Sequence, residues 1–227
     1  MDSKYLKFRH PFTAYVPGAT GSGKTYWVRK VLLNWKNLIH GIQGPVLDIV
    51  WCYGVWQELY NQSVAQTVKV TYVKGLIDEE YIREGRPHVI VIDDLMSDLA
   101  GNRDMSQLFT RGSHHLNVSV FFIVQNLFHK GPEMRTINLN SQYIILMMTV
   151  RDVSQIEVLG RQLFGRKWHE FMSAYKSATE QPYGYLVIDL KPDTPKEYRL
   201  RTRIFPDELK GNISNLAFAP IIYRIKD

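Results

Sequence analysis

Eight consecutive residues, Gly18-Ala19-Thr20-Gly21-Ser22-Gly23-Lys24-Thr25, satisfy the pattern G-x-x-x-x-G-K-[ST] at every fixed position. The residue types suit the binding of a phosphate chain. Glycines at 18, 21 and 23 allow positive φ and a close backbone approach, so that successive N–H groups converge on one anionic point. A helix opening directly after the loop adds the positive end of its dipole. Lys24 would reach the β- and γ-phosphates of a nucleotide, and the Thr25 hydroxyl would ligate Mg²⁺. The candidate nucleotide-contacting set is therefore Gly18, Thr20, Gly21, Ser22, Gly23, Lys24, Thr25 and Tyr26.

A second chemical signal lies about 70 residues downstream in His88-Val89-Ile90-Val91-Ile92-Asp93-Asp94. Four β-branched apolar residues in a row indicate an internal parallel strand, buried on both faces. Its C-terminal tip, where open α/β sheets carry their ligands, holds two carboxylates. Asp93 would hold Mg²⁺, directly or through water, and Asp94 would polarise an attacking water. A further apolar run, Val118 to Val124, ends in Gln125-Asn126, which puts an amide within reach of the same place. Paired with the phosphate loop, these groups describe one site for ATP and Mg²⁺.

The elements that must position these groups alternate in type. Phe12–Val16 reads as a strand before the loop and Tyr26–Ile39 as a helix after it. Val46–Tyr53 and Lys69–Val73 read as strands, with Trp56–Gln66 helical between them and Ile77–Glu84 a short surface helix. Residues 96–117 form a polar, helix-prone connection. Glu133–Asn140 is a loop or short helix, and Gln142–Val150 a buried strand. Helical spacing follows over Asp152–Phe164 and Trp168–Lys176, and a strand pair over Tyr185–Leu190 and Tyr198–Phe205. The tail, Asp207–Asp227, is expected to pack on an edge. This order implies an α/β fold, a P-loop NTPase with a mostly parallel central sheet flanked by helices and an antiparallel edge near the C-terminus. The chain reads as one domain over 1–227, with a core over about 8–190 and the strand pair and tail over about 183–227.

Composition narrows the class. The chain has 227 residues, 45% hydrophobic, and 28 Lys+Arg against 22 Asp+Glu give a net charge of +6, which favours a polyanionic partner. One cysteine, Cys52, allows no internal disulfide and fits a reducing compartment. No H-E-x-x-H or cysteine pair suggests zinc, the N-terminus shows no signal-peptide pattern, and no apolar run is long enough for a membrane span. A GTPase would need a base-reading N-K-x-D motif, which is absent. A small nucleotide kinase would need an arginine-rich lid, whereas the arginines here are scattered.

Five stretches carry a resemblance: Gly18–Thr25, Val89–Asp94, Thr110–Gln125 (TRGSHHLNVSVFFIVQ), Asn140–Asp152 (NSQYIILMMTVRD) and Pro182–Leu190 (PYGYLVIDL). In these the chain resembles the genome-packaging ATPases of eukaryotic DNA viruses, virophages and Polinton-type elements, which include the poxvirus packaging ATPase and belong to the FtsK–HerA superfamily. The resemblance implies a homomeric ring, a pentamer or hexamer, that hydrolyses ATP to thread double-stranded DNA into a capsid, with capsid or packaging-vertex proteins as partners. It places the protein at viral assembly sites in host cytoplasm or nucleus, or in the virion. Gln125 takes the role of the glutamine that senses the γ-phosphate. The family's finger arginine falls about a dozen residues earlier, near His114 here; Arg111 is the nearest arginine, with Arg135 and Arg151 as alternatives. His114-His115 reads as a loop near a subunit boundary rather than a metal pair. Lys130, Arg135, Arg166 and Lys167 are candidates for gripping DNA phosphates. The other function classes are a small nucleotide kinase and an assembly factor gated by nucleotide binding without turnover.

Overall fold

A computed structural model describes residues 3–99, 115–128, 131–208 and 220–225. The strands are β1 (Phe8–Arg9), β2 (Thr13–Pro17), β3 (Ile39–His40), β4 (Leu47–Tyr53), β5 (Val68–Lys74), β6 (Val89–Asp93), β7 (Ser119–Val124), β8 (Tyr143–Met147), β9 (Tyr185–Asp189), β10 (Leu200–Thr202) and β11 (Ile221–Tyr223). The helices are α1 (Lys24–Leu33), α2 (Trp35–Leu38), α3 (Glu79–Gly85), α4 (Met96–Leu99), α5 (Pro132–Asn140), α6 (Val153–Phe164) and α7 (Trp168–Ala178).

Nine strands form one sheet in the order β11-β10-β9-β8-β2-β7-β6-β4-β5, while β1 and β3 pair separately. From β8 through β5 every pairing is parallel. From β8 outward through β9, β10 and β11 the pairings are antiparallel. This is the mostly parallel sheet with an antiparallel C-terminal edge that the alternation of elements implies. The tail supplies the outermost strand of that edge.

Alternation along each strand divides the core between two faces. Val89 and Val91 of β6 join Trp27, Val28, Val31 and Leu32 of α1. Ile90 and Ile92 face the other way, with Ile82 of α3, Met134 and Ile137 of α5, Ile156 and Leu159 of α6, and Phe171 and Tyr175 of α7. Helices on both faces explain why the strands read as continuous apolar runs.

Two sequence expectations are corrected. The helix over Tyr26–Ile39 starts earlier, at Lys24, and breaks at Asn34. There the Asn34 Nδ2 donates to the Lys30 carbonyl at 2.9 Å, a local side-chain bond of the kind that competes with helix continuation. Trp35 then turns inward, and its indole donates to the Thr67 carbonyl at 3.2 Å. The stretch Trp56–Gln66 contains only a 3₁₀ turn, Glu58–Asn61. Its carbonyls find a different donor, because Arg29 of α1 reaches Gln62 and Ser63 O at 2.8 and 2.9 Å. Its rings leave helical register to pack with Trp51, Tyr53 and Tyr72.

The end of the sheet opposite the phosphate loop is fastened by a buried ion cluster. Asp189, at the end of β9, is fully buried and takes Arg201 Nη1 at 3.3 Å, with Arg9 Nη2 at 3.9 Å. Arg9 also donates to Asp193 and Thr194, and Arg201 to the Tyr5 carbonyl. Arg201 is only 1% exposed. Removing one partner of such a pair strands the other charge in an apolar setting. Arg201→Met should therefore cost about 3 kcal/mol, read in thermal denaturation as a melting temperature lower by roughly 6–12 °C. An unchanged melting temperature would show that Arg9, the Thr194 hydroxyl and the Lys191 N–H suffice to hold Asp189.

Candidate nucleotide site

The phosphate loop is built by β2 entering it and α1 leaving it. The Gly18 N–H donates to the Val124 carbonyl at 3.1 Å, which ties the loop to the end of β7. Gly21 and Gly23 have φ of 81° and 90°, in the left-handed region that glycine tolerates. Gly18 is not among the positive-φ residues, contrary to the expectation for all three glycines. Its constraint is space, since a Cβ there would lie 2.8 Å from Ser22 Oγ. Gly23 is also the N-cap of α1, so no side chain caps the helix and no acidic residue occupies its first turn. The N-terminal N–H groups are left for an anion.

A cleft of about 330 Å³ opens over this loop, lined by Thr20, Gly21, Gly23, Lys24, Thr25 and Tyr26, by Asp93 and Asp94, and by Gln125. The expected residues from three separate strand ends thus meet in one place. Gly18 and Ser22 are not among the lining residues. The Ser22 hydroxyl is buried without a hydrogen-bond partner.

Lys24 is nearly buried. Its Nζ donates to the carbonyls of Gly18 and Ala19 at 2.6 and 2.8 Å, so the ammonium rests on the loop it closes. Burial pulls its pKa below the ordinary lysine value, and the charges of Asp93 and Asp94 oppose that shift. A polyphosphate on this loop would add negative charge near the ammonium.

Asp93 is 3% exposed. Its Oδ1 accepts from Thr25 Oγ1 at 3.5 Å and its Oδ2 from the Tyr60 hydroxyl at 2.8 Å. Burial raises its pKa, while the hydrogen bonds from Tyr60 and Thr25 hold it down and the charge of Asp94 raises it again. A hydroxyl and a carboxylate side by side next to a phosphate-cradling loop suit Mg²⁺. That ion takes one or two protein oxygens and completes its shell with substrate phosphates and water. Among the described residues no group of three or more His, Cys, Asp or Glu could hold a metal without such help.

Asp94, at the strand tip, has φ of 56° and an exposed side chain. Its N–H donates to the Ile123 carbonyl at 3.3 Å. Gln125 Nε2 donates to Asp94 Oδ1 at 2.9 Å and to Oδ2 at 3.2 Å. A carboxylate held by an amide at the open side of the cleft is placed to orient a polar molecule above it.

The aromatic loop after β4 supplies residues that sequence reasoning did not single out. Gln57 and Leu59 line the cleft, and Tyr60 braces Asp93. The pair Tyr60–Asp93 is separated by 33 residues; the only local hint was the density of rings around Tyr60. Arg111, His114 and Lys130 lie outside the described residues. Arg135 and Arg151 are exposed and stand outside the cleft lining. Arg166 and Lys167 occupy the 3₁₀ turn between α6 and α7. His115 is exposed, and Cys52 is buried and unpaired by disulfide. Among the described residues no helix is long and apolar enough to cross a membrane.

Solved structures share this fold. The genome packaging NTPase B204 from Sulfolobus turreted icosahedral virus 2, in complex with sulfate, matches with a TM-score of 0.52 at 14% identity, over 79% of this chain and 92% of that one. The same protein in complex with ATP-gammaS matches with a TM-score of 0.52 at 11% identity, over 84% and 94%. B204, the DNA-packaging ATPase from Sulfolobus turreted icosahedral virus, matches with a TM-score of 0.52 at 14% identity, over 80% and 94%. No protein-family model matches the sequence, and no curated protein does. At these identities the likeness is one of fold, and the fold is that of the P-loop NTPases.

The brace on Asp93 gives a direct test. Tyr60→Phe removes a donor that lowers the carboxylate's pKa and leaves the burial that raises it. The Asp93 pKa should rise further, followed by carbon-detected NMR titration of its carboxyl. An unchanged titration would mean that the tyrosine hydroxyl does not hold the ionised carboxylate.

Proposed function

We propose that this protein is a Mg²⁺-dependent ATPase that drives double-stranded DNA into a viral or virus-like capsid as a homomeric ring. The observation that carries the hydrolytic part is the Gln125–Asp94 hydrogen bond at 2.9 Å, beside Lys24 and the Thr25–Asp93 pair in one cleft. In this reading the loop N–H groups and Lys24 bind the β- and γ-phosphates. Thr25 and Asp93 hold Mg²⁺, which when bound neutralises phosphate charge. Asp94 accepts the hydrogen bond of the attacking water, and Gln125 fixes the Asp94 carboxylate and monitors the γ-phosphate.

The DNA-moving part is supported by the resemblance carried by the R-G-S-H-H lead-in to Gln125, by the net charge of +6, and by a fold shared with proteins described as genome-packaging NTPases. A motor of this kind grips DNA through its phosphates and is indifferent to sequence. Arg135, Arg166 and Lys167 are the described candidates for that grip, with Lys130. A ring would also let one subunit place an arginine against its neighbour's γ-phosphate, which stabilises charge in the transition state. Arg111 is our first choice for that role, with Arg135 and Arg151 next.

Steady-state ATP hydrolysis with and without long duplex DNA tests the proposal. Long duplex should accelerate turnover several-fold. Acceleration by a nucleoside acceptor with formation of a phosphorylated product would make the protein a kinase, and absence of turnover under all conditions would make it a nucleotide-gated assembly factor. Inactive Arg111→Ala subunits mixed with inactive Lys24→Ala subunits should recover activity. Mixed rings that stay inactive would remove Arg111 from the trans role.

A further inference from the structure

A second cavity of about 460 Å³ adjoins the first across α1, and the two share Gly23 and Tyr26. Their linings differ in kind. The first is rich in backbone N–H, lysine and carboxylate. The second is walled by Tyr26, Trp27, Met147, Pro182, Tyr183, Tyr185 and Phe205.

Its base is a packed aromatic cluster. Trp27 meets Tyr185 edge-on at 5.3 Å between centroids and Phe205 at 5.9 Å. At its mouth stand two tyrosines that the fold does not bury, Tyr26 at 59% and Tyr183 at 68% exposure. Tyr183 lies directly against the phosphate loop, because a Cβ on Gly23 would come within 3.0 Å of its ring. The following residue fixes that approach. The Gly184 N–H donates to Gln181 O at 2.9 Å, and a Cβ at Gly184 would meet backbone atoms at 2.8 Å.

We propose that this cavity seats the base of the bound nucleotide, which stacks on Tyr183 with Tyr26 beside the ribose. The inference rests on the reading of the first cleft as the triphosphate site. A nucleotide anchored there by its phosphates must carry its sugar and base out past Tyr26, and on that side the flat apolar walls begin.

The charged groups also fix how selective the seat is. Its two charged lining residues, Lys30 and Glu208, already have partners. Lys30 donates to Asp207 at 2.8 Å and lies over the Phe205 ring at 4.3 Å. Glu208 Oε2 accepts from the Tyr185 hydroxyl at 2.7 Å and from Phe205 N–H at 3.2 Å. Among the described residues the seat therefore offers chiefly ring faces, which every purine presents. The site takes adenine and guanine nucleotides alike.

Calorimetric titration of the full chain with ATP, GTP and inorganic tripolyphosphate, in the presence of Mg²⁺, tests the seat. Wild-type protein should bind ATP and GTP within a few-fold of each other. Tyr183→Ala should weaken both by about tenfold, the loss expected for one stacked base, and leave tripolyphosphate affinity unchanged. Tyr183→Phe, which keeps the ring, should bind like wild type. Undiminished ATP binding by Tyr183→Ala, an equal loss for tripolyphosphate, or a strong preference for one purine would overturn the seat while leaving the phosphate site standing. Failure of wild-type protein to bind any of the three ligands would overturn the phosphate site itself, and the seat with it.

Discussion

The site depends on the backbone of one strand. β7 lies between β2 and β6, in register with both, so that Pro17 pairs with Val124 and Asp93 with Ile123. Its last carbonyls then bind the first N–H of each neighbouring turn, Gly18 to Val124 and Asp94 to Ile123. The phosphate loop, the carboxylate tip and Gln125 are consequently levelled at one height by two main-chain hydrogen bonds. No side chain of the site is needed for that alignment. A parallel sheet buried on both faces makes the register hard to slip, because a shift of one residue would turn each apolar side chain to the opposite face.

Around that frame the chemistry is arranged by burial. Asp93 is sunk and held by Thr25 and Tyr60, whereas Asp94, the next residue, turns through a left-handed conformation to face the open cleft. Two adjacent carboxylates thereby acquire different surroundings. One is buried and braced, as the proposed Mg²⁺ role requires, and the other is exposed beside an amide. Division of labour between neighbouring carboxylates through environment is a general route to acid–base and electrostatic roles in one site. Lys24, resting on the loop carbonyls, brings a positive charge within the field of both carboxylates.

Much of this was legible in the sequence. The β-branched run Val89–Ile92 and the apolar run Val118–Val124 announce internal parallel strands, and the polar residues ending them meet in the candidate cleft. The late strand pair gave the antiparallel edge. The segment Trp56–Gln66 misled, because its spacing suits a helix while its rings and carbonyls are claimed by partners distant in sequence, Trp51, Tyr72 and Arg29. The same holds for Tyr60 and Tyr183. Each matters through one contact with a residue far along the chain, Asp93 and Gly23 respectively, and no local pattern encodes such a contact. Gly18 shows a subtler limit: a motif specifies glycine without saying whether conformation or space requires it.

In the proposed mechanism Asp94 and Gln125 act as one unit over the phosphate loop. A double-mutant cycle on the turnover number for ATP, with Asp94→Asn, Gln125→Ala and the double variant, tests it most directly. Strong coupling is expected, with the double variant scarcely slower than Asp94→Asn alone. Losses that simply add would contradict it, since they would mean that the two residues act independently and that their hydrogen bond is incidental to catalysis.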